Sequence, residues 1–252
     1  MYFDRIIAVR NNKTIYRDGE RCLKVFEDGY SVSYVLSEAL NQARAAEAGL
    51  DVPKVLEVTT IDGRWMIASK FIGGKTLAQL MSERPEMNEV YLKALVQIQN
   101  KVNEKQCLEC ENMKDRFNKL ICRAGLQATE RFSFHRQLDE LPMGNQLCHG
   151  DLNPSNIIIT ETGLPFILDW SCAMSGNPLA DVVASFLSIY LTNGENMADT
   201  YLRSFCETQG IERDNVSCWI PIVAATKLTY ANMHERQLLQ RWIKINDAIK
   251  EN

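Results

Sequence analysis

At Gly73-Gly74 the sequence changes its hydrophobic period, and that change limits the folds open to it. Before the pair, short β-rich runs dominate: Ile6-Ile-Ala-Val9, Thr14-Ile-Tyr16 and Arg21-Cys-Leu-Lys-Val-Phe26, punctuated by Asn11-Asn12 and Asp18-Gly19, which are hairpin signals. A helix is predicted over about 32–48, with apolar residues at 35, 36, 39, 40, 43 and 46 and Gly49 placed to cap it. Strand character resumes in Val52–Val58 and Arg64–Ser69 around Asp62-Gly63. After the glycine pair the pattern is helical to about Leu138. A strand pair over 156–170 interrupts it, and helices return from about 180. A small sheet with one helix followed by a mainly helical region leaves a cleft between two lobes, a favoured ligand position. The expected lobes are residues 1–72 and 73–252.

Composition removes several function classes. The 252 residues carry 28 Lys and Arg against 32 Asp and Glu, a net charge of −4, which gives no support to a nucleic-acid or anionic-membrane surface. The longest apolar stretch, Val182–Leu191, is too short to span a bilayer, and Met1-Tyr-Phe-Asp-Arg5 lacks the pattern of a signal peptide. The expectation is a soluble cytoplasmic protein. Eight cysteines follow no regular framework. Cys107-Leu-Glu-Cys110 has CxxC spacing, but no second ligand pair accompanies it, so the reading is two reduced, buried thiols.

The chemistry concentrates in Leu147-Cys-His149-Gly150-Asp151-Leu-Asn153-Pro-Ser-Asn156-Ile-Ile-Ile and Phe166-Ile-Leu-Asp169-Trp170. With Thr162-Gly163 as a two-residue turn, Asn156 and Asp169 lie opposite each other on one face of a hairpin. A carboxylate and an amide oxygen together suit a hard cation such as Mg²⁺. Asp151, on the loop entering that hairpin, is placed to accept a proton beside the metal. Phosphoryl transfer needs this equipment, together with a lysine for the ATP phosphates. A metallophosphoesterase reading of His149 and Asp151 lacks further ligands, since there are only three histidines.

These residues resemble the aminoglycoside phosphotransferase and choline kinase-like family, the small-molecule branch of the protein-kinase-like fold. The resemblance rests on His149-Gly-Asp151-x4-Asn156, Leu168-Asp169-Trp170 and Gly176-Asn-Pro178-x2-Asp181. It extends to Lys24, the 32–48 helix with Gly49-x2-Val-Pro53, and Gly73-Gly-x-Thr-Leu77, covering most of the first 185 residues. It implies a two-lobed α+β protein-kinase-like fold: a small N-terminal β-sheet lobe with one helix that binds nucleotide, and a larger, mainly helical C-terminal lobe for catalysis and acceptor. By the resemblance Asp151 is the catalytic base, Asn156 and Asp169 hold Mg²⁺, and Lys24 contacts the phosphates of ATP. Strand alternation puts Cys22 on the Lys24 face, lining the adenine pocket. Glu38 orients Lys24, with Glu47 as the competing candidate. The backbone of Ser69, Lys70, Phe71 and Ile72 meets the adenine edge as a hinge. Asp181 supports the catalytic loop, and His149 packs and orients it. Two departures stand out: the loop between the first two strands, Asn11-Asn12-Lys13, is short and free of glycine, and Ser171-Cys172 replaces an acidic-aromatic pair.

Only twelve positions separate Asp169 from Asp181, little room for a peptide-binding activation segment. Asn153 stands two residues after Asp151, where serine/threonine protein kinases usually carry lysine. Both point to a small hydroxylated acceptor: an aminoglycoside, an amino alcohol or a sugar. Between Val183 and Val216, Glu195, Asp199, Glu207, Glu212 and Asp214 outnumber Arg203 and Arg213. Two readings of that excess stand, an acidic wall for a cationic acceptor and a solvated helix face. Tyr190, Tyr201, Trp219, Tyr230 and Trp242 are read as packing before an aromatic cage. The reading is therefore an ATP- and Mg²⁺-dependent small-molecule kinase, with a catalytically weak nucleotide-binding protein as the alternative.

Overall fold

A computed structural model describes residues 5–10 and 12–250, with side chains to 243. The signal-peptide reading at residues 1–4 and the turn residue Asn11 lie outside the described residues. Two compact units form: Met1–Pro85 with Pro154–Ala173, and Glu86–Asn153 with Met174–Asn252.

The first unit begins with β1 (Arg5–Arg10), β2 (Lys13–Asp18) and β3 (Arg21–Phe26), then α1 (Val32–Glu47), β4 (Val55–Ile61) and β5 (Arg64–Lys70). The strands form one antiparallel sheet in the order β1-β2-β3-β5-β4. Asp62 and Gly63 both take positive φ (48° and 77°), the mirror-image turn whose twist suits the two-residue connection of β4 to β5. α1 ends where Leu50 N donates to Ala45 O and Gly49 N to Ala46 O, with Gly49 at φ 81°. Period-2 alternation in β3 splits the core into two layers. Leu23 and Val25 pack with Met66 and Ala68, while Phe26 on the other face packs with Ile67 and with Val35 and Ala39 of α1.

β6 (Lys75–Thr76) and α2 (Leu77–Glu83), whose start Thr76 caps, also belong to this unit, as does the hairpin of β8 (Ile157–Ile159) and β9 (Pro165–Ile167). β6 pairs with β8, and a Cβ on Gly74 would stand 2.3 Å from Ile159 O, so only glycine allows that approach. By contact, then, the chain leaves the first unit after Pro85, although the periodicity changes at Gly73-Gly74.

The second unit contains α3 (Asn88–Asn103), α4 (Met113–Arg123), α5 (Ala128–Glu140), α6 (Pro178–Asn193), α7 (Glu195–Gln209), α8 (Arg213–Ser217), α9 (Ile220–Lys227) and α10 (Met233–Lys250). A short antiparallel pair, β7 (Gln146–Cys148) with β10 (Met174–Gly176), lies among them. α6 is buried from Ala180 through Tyr190 and forms the unit's spine. Asn177 caps it and Pro178 occupies its first turn. Tyr201 and Trp219 are fully buried, Phe186 and Tyr190 pack edge-on against Trp242, and Tyr230 is exposed, so these aromatics form no common cage. No helix among the described residues is long and apolar enough to cross a membrane.

The CxxC reading needs correction. Cys107 and Cys110 are joined by a disulfide, because the turn in which Cys110 N donates to Cys107 O brings their Cα atoms to 5.4 Å. The other six cysteines are free.

Candidate active site

The first unit gathers four charges. Alternation places Cys22 and Lys24 on the β3 face that α1 covers, and α1 brings Glu38 there on the same turn as Val35 and Ala39. Glu38, 2% exposed, forms an ion pair with Lys24, whereas Glu47 is exposed at the helix end. Asp169 lies 3.6 Å from Lys24 Nζ. Lys13, at the start of β2, donates to both Asp169 oxygens at 3.2 and 3.1 Å and lies 3.6 Å from Glu38. Two ammonium groups and two carboxylates thus balance. Burial by itself would lower the Lys24 value, but Glu38 and Asp169 outweigh it and hold the ammonium above its ordinary value. Burial would likewise raise Asp169, but Lys24 and Lys13 hold it well below the usual carboxylate range. Both groups stay charged near neutrality.

Asp169 has left-handed backbone geometry (φ 61°, ψ 68°), uncommon for a residue with a Cβ and characteristic of functional turns. Its neighbours hold it there. Trp170 is fully buried, donates its indole N–H to Ile167 O, and accepts from Asn41 of α1 at its carbonyl. Ser171 Oγ donates to Asp169 Oδ1 at 3.0 Å.

The hairpin register differs from the expected one. Thr160 N donates to Leu164 O and Ile159 pairs with Pro165, giving a three-residue loop with Gly163 at φ 81°. A two-residue turn centred on Thr162-Gly163 would need positive φ at Thr162, which a β-branched residue resists; here the positive φ falls on Gly163 and not on Thr162. Asn156 therefore stands opposite Leu168, whose N–H donates to Asn156 O at 2.8 Å, and Asp169 lies one residue further on. The Asn156 residue is buried, at 9% exposure. Strand pairing alone does not set it against Asp169.

Along the expected hinge, Cys22 pairs with Ser69 in the sheet, and burial pushes the Cys22 thiol up despite Lys24 and Ser69. Lys70 N donates to Lys54 O and Phe71 N to Glu20 O, and Arg17 lies over the Phe71 ring at 4.2 Å. Ile72 is half-buried just beyond β5.

In the second unit, β7 delivers His149-Gly150-Asp151. Gly150 takes φ 80°, which lets consecutive amides turn toward one acceptor. That acceptor is Asp181, fully buried on α6: it receives His149 N at 3.0 Å, Gly150 N at 2.7 Å, Gln99 Nε2 at 2.7 Å and Asn103 Nδ2 at 3.0 Å. Asn177 caps the helix, so Asp181 serves the loop, the role the resemblance implies. His149 is also fully buried, and its Nδ1 lies 3.3 Å from Asp151 N. Asp151 itself keeps 41% of its side chain exposed. Ser188 Oγ donates to its Oδ1 at 2.7 Å, Lys227 Nζ lies 3.5 Å from the same oxygen, and Asn153 Nδ2 is 3.3 Å from Oδ2.

The sequence reading missed Lys13, Ser188 and Lys227 as site residues. Lys13 stood inside the loop singled out for lacking glycine, yet nothing in its spacing pointed to Asp169. Ser188 and Lys227 lie in apolar helices outside every motif. Glu195, Glu207, Glu212 and Asp214 are exposed on α7, α8 and their connections, and Asp199 pairs with Arg213, which is a solvated face. No group of three or more His, Cys, Asp or Glu side chains forms a metal-binding cluster among the described residues.

The fold is that of the kinase-like phosphotransferases. Residues 7–215 match the phosphotransferase enzyme family, and the chain belongs to it. Solved structures give the same fold. The choline kinase LicA from Streptococcus pneumoniae is 16% identical, with 97% of this chain and 92% of that one covered at a TM-score of 0.66. A thermostable mutant of aminoglycoside phosphotransferase APH(4)-Ia, in ternary complex with AMP-PNP and hygromycin B, is 14% identical, with 96% and 91% covered at 0.68. The aminoglycoside-3'-phosphotransferase of type VIII is 15% identical, with 89% and 92% covered at 0.62. No curated protein sequence matches significantly.

Proposed function

We propose that this phosphotransferase moves the γ-phosphoryl group of ATP to a hydroxyl of a small molecule such as an aminoglycoside, an amino alcohol or a sugar. The observation that carries the reading is the cluster of Lys13, Lys24, Glu38 and Asp169, two ammonium groups and two carboxylates paired with one another. Complexes of LicA with AMP and of APH(4)-Ia with AMP-PNP support nucleotide binding by this fold. Lys24, oriented by Glu38, would hold the phosphates. Cys22 and the 69–72 backbone would line the adenine site. With the Lys70 and Phe71 amides already donating, the adenine amine would donate to a carbonyl of that segment.

Asp169 and Asn156 suit Mg²⁺ by their donors, a charged carboxylate and an amide oxygen. With two protein ligands, the ion would remain open to phosphate and water. When bound, the ion supplies charge neutralisation on the phosphate oxygens. Asp151 would align the acceptor hydroxyl and take its proton as the oxygen attacks, while the bond from the γ-phosphorus to the bridging oxygen breaks and ADP leaves. Because the chemistry rests on positioning and charge, the fixed Asp181 brace matters as much as the base. The acidic balance favours a protein without a nucleic-acid partner.

The alternative is a nucleotide-binding protein with weak catalysis. Lys13, from the glycine-free loop, engages both oxygens of Asp169 and favours it. Coupled ADP release with Mg·ATP separates the two, using aminoglycosides, choline, ethanolamine and sugars as acceptors and Asp151→Asn as the blank. Acceptor-dependent turnover lost in the variant is the expected result. ATP binding with silence across the panel would favour the alternative, and absence of ATP binding would overturn both.

A further inference from the structure

Asp151 is served from a part of the chain that carries no motif. α9 is buried and apolar from Ile220 through Ala225, and it ends on Lys227. A lysine at a helix C-terminus is ordinary, since it meets the negative end of the dipole. This one does more. Its Nζ lies 2.8 Å from Ser188 Oγ and 3.5 Å from Asp151 Oδ1, and its side chain is only 20% exposed. The hydroxyl of Ser188 has one proton, which it donates to Asp151 Oδ1 at 2.7 Å, so toward Lys227 it accepts. The donation therefore runs in one direction, from ammonium to hydroxyl to carboxylate, and each link strengthens the next.

The chain thereby places a lysine at Asp151 without one in the catalytic loop. Two residues after Asp151, where serine/threonine protein kinases carry lysine, stands Asn153. Its amide donates to Asp151 O at 3.0 Å and brings no charge. Lys227 brings the charge from 76 residues downstream.

We propose that Lys227, acting through Ser188, is the positioning residue of Asp151. It fixes Oδ1, and with it the plane in which the carboxylate meets the acceptor hydroxyl. The proposal rests on the phosphotransferase reading of Asp151.

The test compares Lys227→Met, Lys227→Arg, Ser188→Ala and the Ser188→Ala/Lys227→Met double variant of the full chain. Misplacement of a reacting group costs on the order of a hundredfold, so Lys227→Met is expected to lower kcat about ten- to a hundredfold. The KM values for ATP and acceptor should stay within about twofold of wild type, because the interaction acts on alignment and not on binding. Lys227→Arg should keep most of the rate. The double variant should be no slower than the slower single, since both act on one oxygen. An unchanged kcat in Lys227→Met, or fully additive losses in the double variant, would overturn the proposal. If Lys227→Met does not fold, Ser188→Ala, which removes a single atom, carries the same comparison. Crystal structures of Lys227→Met and Ser188→Ala give a readout that needs no turnover. Asp151 should lose its single carboxylate orientation, and retention of that orientation in both overturns the positioning role. Were wild type inactive on every acceptor, the kinase reading would fail while the crystallographic result still decided this one.

Discussion

The two groups of polar residues in this protein are built in opposite ways. In the first unit charge holds charge: Lys13, Lys24, Glu38 and Asp169 neutralise one another, and three of them also anchor strands or the helix that carries them. In the second unit the backbone is held first. Asp181 gathers the amides of His149 and Gly150, and Asp151 stands partly open on the loop so fixed. Pairing suits groups that must stay charged while buried, since an unpaired buried charge is costly. Bracing the backbone suits a base that must keep a face toward a substrate. Substitutions in the first group should therefore disturb nucleotide binding and stability together, while Asp151 in the second should separate from both.

That separation is sharpest at Asp151. Asp151→Asn keeps the shape and the Ser188 hydrogen bond, so turnover is expected to fall on the order of 10²–10⁴-fold. The ATP dissociation constant by calorimetry and the melting temperature should stay near wild type. A parallel loss of nucleotide affinity would erase the contrast between the two groups.

Asp181→Ala strikes the brace itself. It leaves two backbone amides and the side-chain amides of Gln99 and Asn103 buried without their acceptor. Destabilisation of about 3–5 kcal/mol is expected in urea unfolding, larger than for Asp169→Asn. A loss below about 1 kcal/mol would mean that the loop is held by other contacts.

In the first unit, Asp169→Asn removes the carboxylate that faces two lysines, and a loss of about 1.5–3 kcal/mol is expected. Its pH dependence follows from the directions given above. A depressed carboxyl contributes fully above its unfolded value of about 3.9 and loses that contribution only as pH falls further, toward the folded value. The raised Lys24 contributes below its unfolded value of about 10.4 and loses it only as pH rises beyond that. The difference in unfolding free energy between Asp169→Asn and wild type should thus be flat from about pH 5 to 9. A difference that vanished on acidification to pH 5 would show that Asp169 is not held by the lysines.

The smallest effect belongs to the Cys107–Cys110 bridge, which closes only a four-residue turn beside β7. Replacing both cysteines by serine should cost about 1–2 kcal/mol in the same unfolding assay. The Asp151 loop, braced by Asp181, should keep its rate.

Much of the fold was legible because local rules and tertiary packing agree. Alternation in Arg21–Phe26, the 3.6-residue period of the first helix, and the Asp62-Gly63 turn each specify a local shape that the core then uses. Lys24 and Glu38 were named from the family resemblance, and the strand and helix periods agree with it by placing both between β3 and α1. The hairpin register was not legible. A two-residue turn at Thr162-Gly163 and a three-residue loop ending on Gly163 place the same residues one step apart, and the difference is that Thr162, unlike Asp62 in the β4–β5 turn, does not take positive φ.

The sequence by itself determined which residue types could do phosphoryl transfer and on which elements they ride, because periodicity and spacing are local properties of a chain. It determined as well that Gly74, Gly150 and Asp169 each lie inside a short motif. The tertiary structure alone decided these meetings: Lys13 on Asp169, and Ser188 with Lys227 on Asp151. Those partners lie 37 to 156 residues away along the chain. A buried polar atom takes whichever donor or acceptor the packed helices bring within about 3 Å, and no local pattern encodes that choice.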